Sequence, residues 1–148
     1  MDDPEYAIKT VDALVPKSLD DIIRKNRDKA ALRLTTPEEM MELRQKIFFS
    51  EPKAIMDEWS LISMIRLTDG FVQVYLLGNI RGKTIHRLTS TVQQIDLDKQ
   101  LLITQSGSLY QLGKPLDGEH GMHQLMAICA IFHTWGFGNF LGVPQFFY

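Results

Sequence analysis

Asp117, Glu119, His120 and His123 stand close together in the chain, with His133 beyond them. Imidazole and carboxylate groups bind zinc and leave a position for activated water, which is the chemistry of a metal-dependent hydrolase. A helix beginning at Glu119 or His120 puts His120 and His123 on one face. HEXXH is absent, however, and a bare HxxH recurs by chance. A polar loop running into a helix start accounts for the same residues without a ligand.

Cys129 and His133 are four apart, so they share a helical face. A thiolate beside an imidazole is a nucleophile pair. Yet Cys129 lies in the most apolar run of the chain, Leu125-Met126-Ala127-Ile128-Cys129-Ala130-Ile131-Phe132. Burial there raises a thiol pKa and leaves the group inert, so packing is the preferred reading.

Arg81, Lys83 and Arg87 alternate on what reads as a strand, which sets three cations on one face. With Tyr75 or Tyr110 exposed nearby, such a face tracks phosphates and stacks bases, as small barrels do. A solvated edge strand carrying charge against aggregation is the plainer alternative. Gly136-Phe137-Gly138-Asn139-Phe140-Leu141-Gly142 is not a phosphate loop, because its spacing is wrong and it follows a helix. The last group is Phe146-Phe147-Tyr148. Three aromatics there read either as a plug for the core or as an anchor in a partner's pocket.

The elements that position these groups change type along the chain. Residues 1–17 show no period and read as an extended arm. The 18–58 stretch reads as helical. Ser18 is placed to cap a helix running to about Leu32, with Leu19, Ile22, Ile23 and Ala30 on one face. Thr36-Pro37-Glu38-Glu39 is the clearest start signal, a capping box with proline at the first position. Met40, Leu43 and Ile47 follow at helical spacing, and a third short helix through Met56 is expected.

The 59–112 stretch reads as antiparallel sheet. Leu61–Leu67 and Phe71–Leu77 flank Asp69-Gly70, a hairpin dipeptide. Lys83–Thr89, Val92–Ile95, Leu101–Thr104 and Leu109–Leu112 follow as short strands with polar turns between them. No βαβ alternation is present, which argues against a doubly wound parallel sheet. The 122–135 stretch is a helix without a polar face, so it must be buried against other elements. Residues 136–148 form an aromatic tail. The expected fold is α+β: N-terminal helices, a five- to six-stranded antiparallel meander or half-barrel, and one buried C-terminal helix, all in one domain.

The 148 residues suffice for one hydrophobic core, and 45% hydrophobic with 23% charged residues is a globular composition. A net charge of −2 disfavours a general nucleic-acid binder. One cysteine excludes an intramolecular disulfide and fits a reducing compartment. The acidic start, Met1-Asp2-Asp3-Pro4-Glu5, lacks a signal-peptide core, and no apolar run is long enough to span a membrane. The expectation is a cytoplasmic, non-enzymatic protein-interaction module without a cofactor, acting as an accessory, adaptor or inhibitor protein. Its partner is another protein, with Phe146, Phe147 and Tyr148 as the contact. The alternatives are a nucleic-acid-binding small barrel using Arg81, Lys83 and Arg87, and a metal-dependent hydrolase using His120 and His123.

Overall fold

The computed structural model describes residues 15–48 and 51–145. Six strands follow one another in space as they do in sequence: β1 (Ala30–Leu34), β2 (Ala54–Arg66), β3 (Phe71–Ile80), β4 (His86–Asp96), β5 (Leu101–Thr104) and β6 (Leu109–Leu112). Each neighbouring pair is antiparallel. From β2 to β6 the meander has five strands, so its first and last run the same way. They close the sheet through a short parallel ladder, Ala54↔Tyr110 to Met56↔Leu112. β1 occupies the same edge of β2 further along, opposite Ile62–Arg66. The α+β class and the antiparallel meander are as the sequence predicts.

Both faces of the middle of β3 are covered, which fits its unbroken apolar run Val74-Tyr75-Leu76-Leu77. Leu76 and Leu77 are adjacent in β3, point to opposite faces, and are both fully buried. One face belongs to a cluster of Met56, Leu61, Val74, Leu76, Val92, Ile95, Leu102, Tyr110 and Leu112. Met40 and Leu43 of helix α1 (Pro37–Leu43) pack against that cluster. The opposite face, with Ile62, Tyr75, Leu77 and Leu88, meets Leu125, Ile128, Cys129 and Phe132 of helix α2 (Met122–Thr134).

The capping box forms as its sequence requires: Thr36 Oγ1 accepts from Glu39 N–H, and Glu39 Oε1 accepts from Thr36 N–H. α1 ends at Leu43, not near Phe48. Arg44 turns extended, and Gln45 N–H donates to Ile95 O, so a β4 carbonyl takes the donor.

Three expectations are corrected. The helix read over 18–32 is a single 3-10 turn, Leu19–Asp21, followed by β1. The Arg24 and Lys25 N–H groups both donate to Leu141 O, at 2.8 and 2.9 Å, so the C-terminal segment captures donors a helix would need. Asn26 then takes a left-handed φ of 55°, and the chain leaves as a strand. The helix expected through Met56 is instead the start of β2, held by β6. The strands expected at Lys83–Thr89 and Val92–Ile95 are one strand, β4, with a register shift inside each of its pairings.

Helix α2 is buried on one face, not all round. Gln124, Leu125, Ile128, Cys129 and Phe132 face the sheet, while Met122 and Ala130 are exposed. Among the described residues, no helix is long and apolar enough to cross a membrane.

Candidate functional site

The β2–β3 ladder presents a candidate site at each end. At the hairpin end lies an apolar groove of about 380 Å³, lined by Ala30, Met64, Phe71, Tyr75, Phe137, Phe140 and Leu141, with Lys29 and Arg66 among its charged residues. Its origin is a mismatch of length. The 13 residues of β2 extend about 43 Å. The 13 residues of α2 extend only about 20 Å, so the helix cannot cover the whole face. The segment after α2 covers part of the remainder. Its Phe137 ring packs on Phe132 at 4.9 Å, and Trp135 packs on Tyr75 at 5.2 Å. Phe71 and Phe140 still leave 51% and 56% of their surfaces in water.

The rim of this groove is hydrogen-bonded. Arg66 grips Asp69 through Nε–Oδ1 at 2.9 Å and Nη2–Oδ2 at 2.6 Å, and its guanidinium lies 5.0 Å from the Phe71 ring centre. That pairing, with the Phe71 N–H, holds the Asp69 carboxyl at about 2. Tyr75 is buried, which raises its phenol pKa, and its hydroxyl donates to Gln73 Oε1. Gly70 turns the hairpin at φ 76°, as the Asp-Gly signal requires.

The opposite end is polar. There β2 exchanges one neighbour, β1, for another, β6, and its register with β3 shifts between Asp57 and Ser60. Glu58 sits in this bulge at φ 48°, a left-handed conformation that costs a non-glycine residue energy. Asp57 accepts from Arg81 Nε and Nη2 at 2.7 and 2.8 Å and from the Lys114 N–H at 2.9 Å. These donors hold its carboxyl at about 2, the Arg81 bond contributing most. Gly113 leaves the room this pair needs: a β-carbon there would collide with Asp57 Oδ1 and crowd Arg81 Nη2.

Glu58 gathers a second group. Asn79 Nδ2 donates to its carboxylate at 2.8 Å, and Gln124 Nε2 donates to its carbonyl at 3.0 Å. Asn79 faces His86 across the β3–β4 ladder, and His86 stacks on His123 of α2 at 5.6 Å. Asn79 Oδ1, His86 Nδ1 and Gln124 Oε1 are shielded from solvent and have no hydrogen-bond partner among the described residues. Two amide oxygens and an imidazole nitrogen are thus buried unpaired among the described residues, which costs desolvation energy at the bulge. Burial, and then the neighbouring His123, lower the His86 pKa, while Glu58 opposes them.

The residues singled out from the sequence are distributed over these features. Arg81, Lys83 and Arg87 come together, and the fold adds Lys53 to them around a groove of about 370 Å³. Arg81 is tied to Asp57 and is not a free cation. Tyr75 and Tyr110, the rings that base stacking required at the surface, are 5% and 2% exposed. His120 and His123 diverge. His120 Nε2 and Ser60 Oγ share a hydrogen bond at 2.7 Å, whereas His123 meets His86. Among the described residues, no three of His, Cys, Asp and Glu are arranged to hold a metal ion.

Cys129 is fully buried, which pushes its thiol up to about 12. His133 Nε2 hydrogen-bonds Val143 O at 2.8 Å, and Gly138 packs against the His133 ring. This histidine therefore fastens the segment after α2. Phe146, Phe147 and Tyr148 lie outside the described residues.

Sequence reading missed Glu58, Asn79 and Gln124. Each is an ordinary polar residue, and only the bulge joins them. The groove at Phe71 and Phe140 was equally hidden, because its two rings stand far apart in the chain. No family model, curated protein or solved structure matches this chain.

Proposed function

We propose that this chain is a protein-interaction module that receives apolar side chains of a partner in the groove between Phe71 and Phe140. The observation that carries this reading is the partial exposure of two phenylalanines over an otherwise apolar groove. Apolar surface of this kind, rimmed by charge, marks recognition sites, and aromatic anchors dominate binding energy at interfaces. The outer edge of β1, which has no strand partner among the described residues, supports the same reading. Thr35 N–H donates to Leu61 O of β2 and Lys29 O accepts from the Leu67 N–H just beyond it, so alternation turns the backbone groups of Ala30, Leu32 and Leu34 away from β2, where the Leu34 carbonyl accepts from Arg33 Nη1. Ala30 also lines the groove, which places a strand edge without a strand partner among the described residues beside an apolar pocket. An extended partner segment fits this combination, with main-chain bonds supplying affinity and the pocket selecting side chains.

The test is affinity capture from the native source with the wild-type chain and a Phe71→Ala/Phe140→Ala variant, each checked by thermal melting. Loss of a specific partner at unchanged Tm supports the groove as the interface. Retention of every partner by the variant overturns it.

A further inference from the structure

The polar end carries a feature that the groove reading does not use. Lys53, Arg81, Lys83 and Arg87 surround one hollow between the start of β2, the end of β3 and the start of β4. Among the described residues, no carboxylate lines it. The side chains of Lys53, Lys83 and Arg87 form no ion pair or hydrogen bond among the described residues. Asp57 grips Arg81 side-on through Nε and Nη2, which leaves Nη1 without a partner among the described residues. The guanidinium is therefore fixed in orientation, with one donor edge still available.

Backbone bonds hold the scaffold. Arg81 N–H donates to Ile55 O at 2.9 Å and Lys83 N–H to Ile80 O at 3.1 Å. Four lining cations, of which Arg81 is paired with Asp57, give this hollow a surplus of positive charge among the described residues, in a chain whose net charge is −2.

We propose that this hollow seats a single phosphoryl dianion, with Arg81 as the fixed hydrogen-bonding hand and Lys53, Lys83 and Arg87 as mobile counter-charges. Planar guanidinium donors match phosphate oxygens, and lysines add charge without fixing geometry. Two observations favour one phosphoryl group over a nucleic-acid strand. The four cations line one hollow, and Tyr75 and Tyr110 are buried where stacking would need them exposed. Free phosphate and a phosphate monoester on a small molecule share this chemistry. The proposal is independent of the partner groove at the other end of the ladder.

Isothermal titration of the full chain with inorganic phosphate, with O-phosphoserine and with a single-stranded oligonucleotide at low salt tests it. Saturable one-to-one binding of a phosphate probe, with Kd near about 1 mM or tighter, is expected. Tighter binding of O-phosphoserine than of phosphate identifies a monoester as the better ligand, and equal binding identifies the phosphoryl group alone. Arg87→Gln and Arg81→Lys should each weaken it about tenfold, the second because lysine cannot keep the side-on grip of Asp57.

Lys46→Gln, which removes one positive charge elsewhere, should leave binding unchanged. No saturable phosphate binding overturns the proposal. So does equal weakening by Lys46→Gln, which would show only a general charge effect. Oligonucleotide binding through the same residues with a salt slope of several charges also overturns it, in favour of a strand-binding surface.

Discussion

At the hairpin end of β2 and β3 the strands are regular, the turn is a four-residue loop over 67–70 with Gly70 at positive φ, and the surface is apolar. At the other end the register slips, Glu58 is forced into a left-handed conformation, and two consecutive carboxylates each find a separate partner. The two ends became distinctive for different reasons. The apolar groove exists because its cover is too short: α2 stops while the sheet continues. The polar end exists because β2 must serve two neighbours on one edge. The register slip against β3 and the left-handed Glu58 decide which side chains meet there. One end is therefore set by missing packing, the other by imposed backbone geometry.

The largest test of that contrast compares the groove with the covered part of the same sheet face. Phe132 is fully buried between α2 and the sheet, so Phe132→Ala should cost about 3–5 kcal/mol by urea denaturation. Phe71→Ala and Phe140→Ala should each stay within about 0.5 kcal/mol of wild type, as for exposed positions. A cost at either groove residue comparable to that at Phe132 would make the groove part of the core.

The polar end should respond to relief of strain. Glu58→Gly removes the β-carbon that makes φ 48° costly and should raise stability by about 1 kcal/mol, despite losing the bond from Asn79. Glu58→Ala keeps the strain and loses the bond, so it should destabilise. If both substitutions destabilise equally, the bulge is held by the carboxylate and not merely tolerated.

Acid should separate the ends by pH window. The folded chain lowers the pKa of His86, chiefly by burial, and lowers that of His120 by burial too. The unfolded chain therefore takes up these protons first, near its ordinary value of about 6.5. Stability should be full above that pH, fall as pH drops below it, and level off below the folded-state values. His86→Gln should flatten part of this fall in urea midpoints measured across the window. Asp57 and Asp69, one carboxylate at each end and both held at about 2, act lower. Their contribution is present above the ordinary carboxylate range and is lost as pH falls through about 2. A hairpin end as sensitive as the polar end between neutral pH and the carboxylate range would remove the distinction.

The smallest expected effect is none. Cys129 lies under the covered part of the face with its thiol pushed up to about 12, so a thiol reagent should label the native protein only as fast as it opens. Rapid native labelling would mean that α2 lifts readily, and that the groove is one end of a loosely covered face.

Local signals carried far in this chain. Thr36, Pro37 and Glu39 start α1 as read, Asp69-Gly70 makes its hairpin, and β5, β6 and α2 run over the residues their patterns imply. Each of these depends on bonds or turn conformations spanning a few residues, which a sequence window contains. The apolar run of α2 was legible as buried, but its second, partly exposed face was not, because periodicity vanishes when both faces are apolar.

The sites were legible only as ingredients. Arg81, Lys83 and Arg87 could be grouped by alternation, yet Lys53 and Asp57 join them only through the closure of β2 on β6 and its pairing with β3. His123 could be marked as a histidine near a helix start, but its neighbour is His86 from another strand, not His120.

Composition, turn chemistry and hydrophobic pattern determined by themselves that this chain is an α+β protein with an antiparallel meander and a C-terminal helix. Tertiary structure alone decided that Ala30–Leu34 is a strand, that β2 bulges at Glu58, and that Phe71 and Phe140 share a groove. The physical reason is the same in each case. Backbone donors and apolar faces go to whatever partner the closed sheet brings near, and Leu141 is more than a hundred residues from the Arg24 and Lys25 N–H groups it captures.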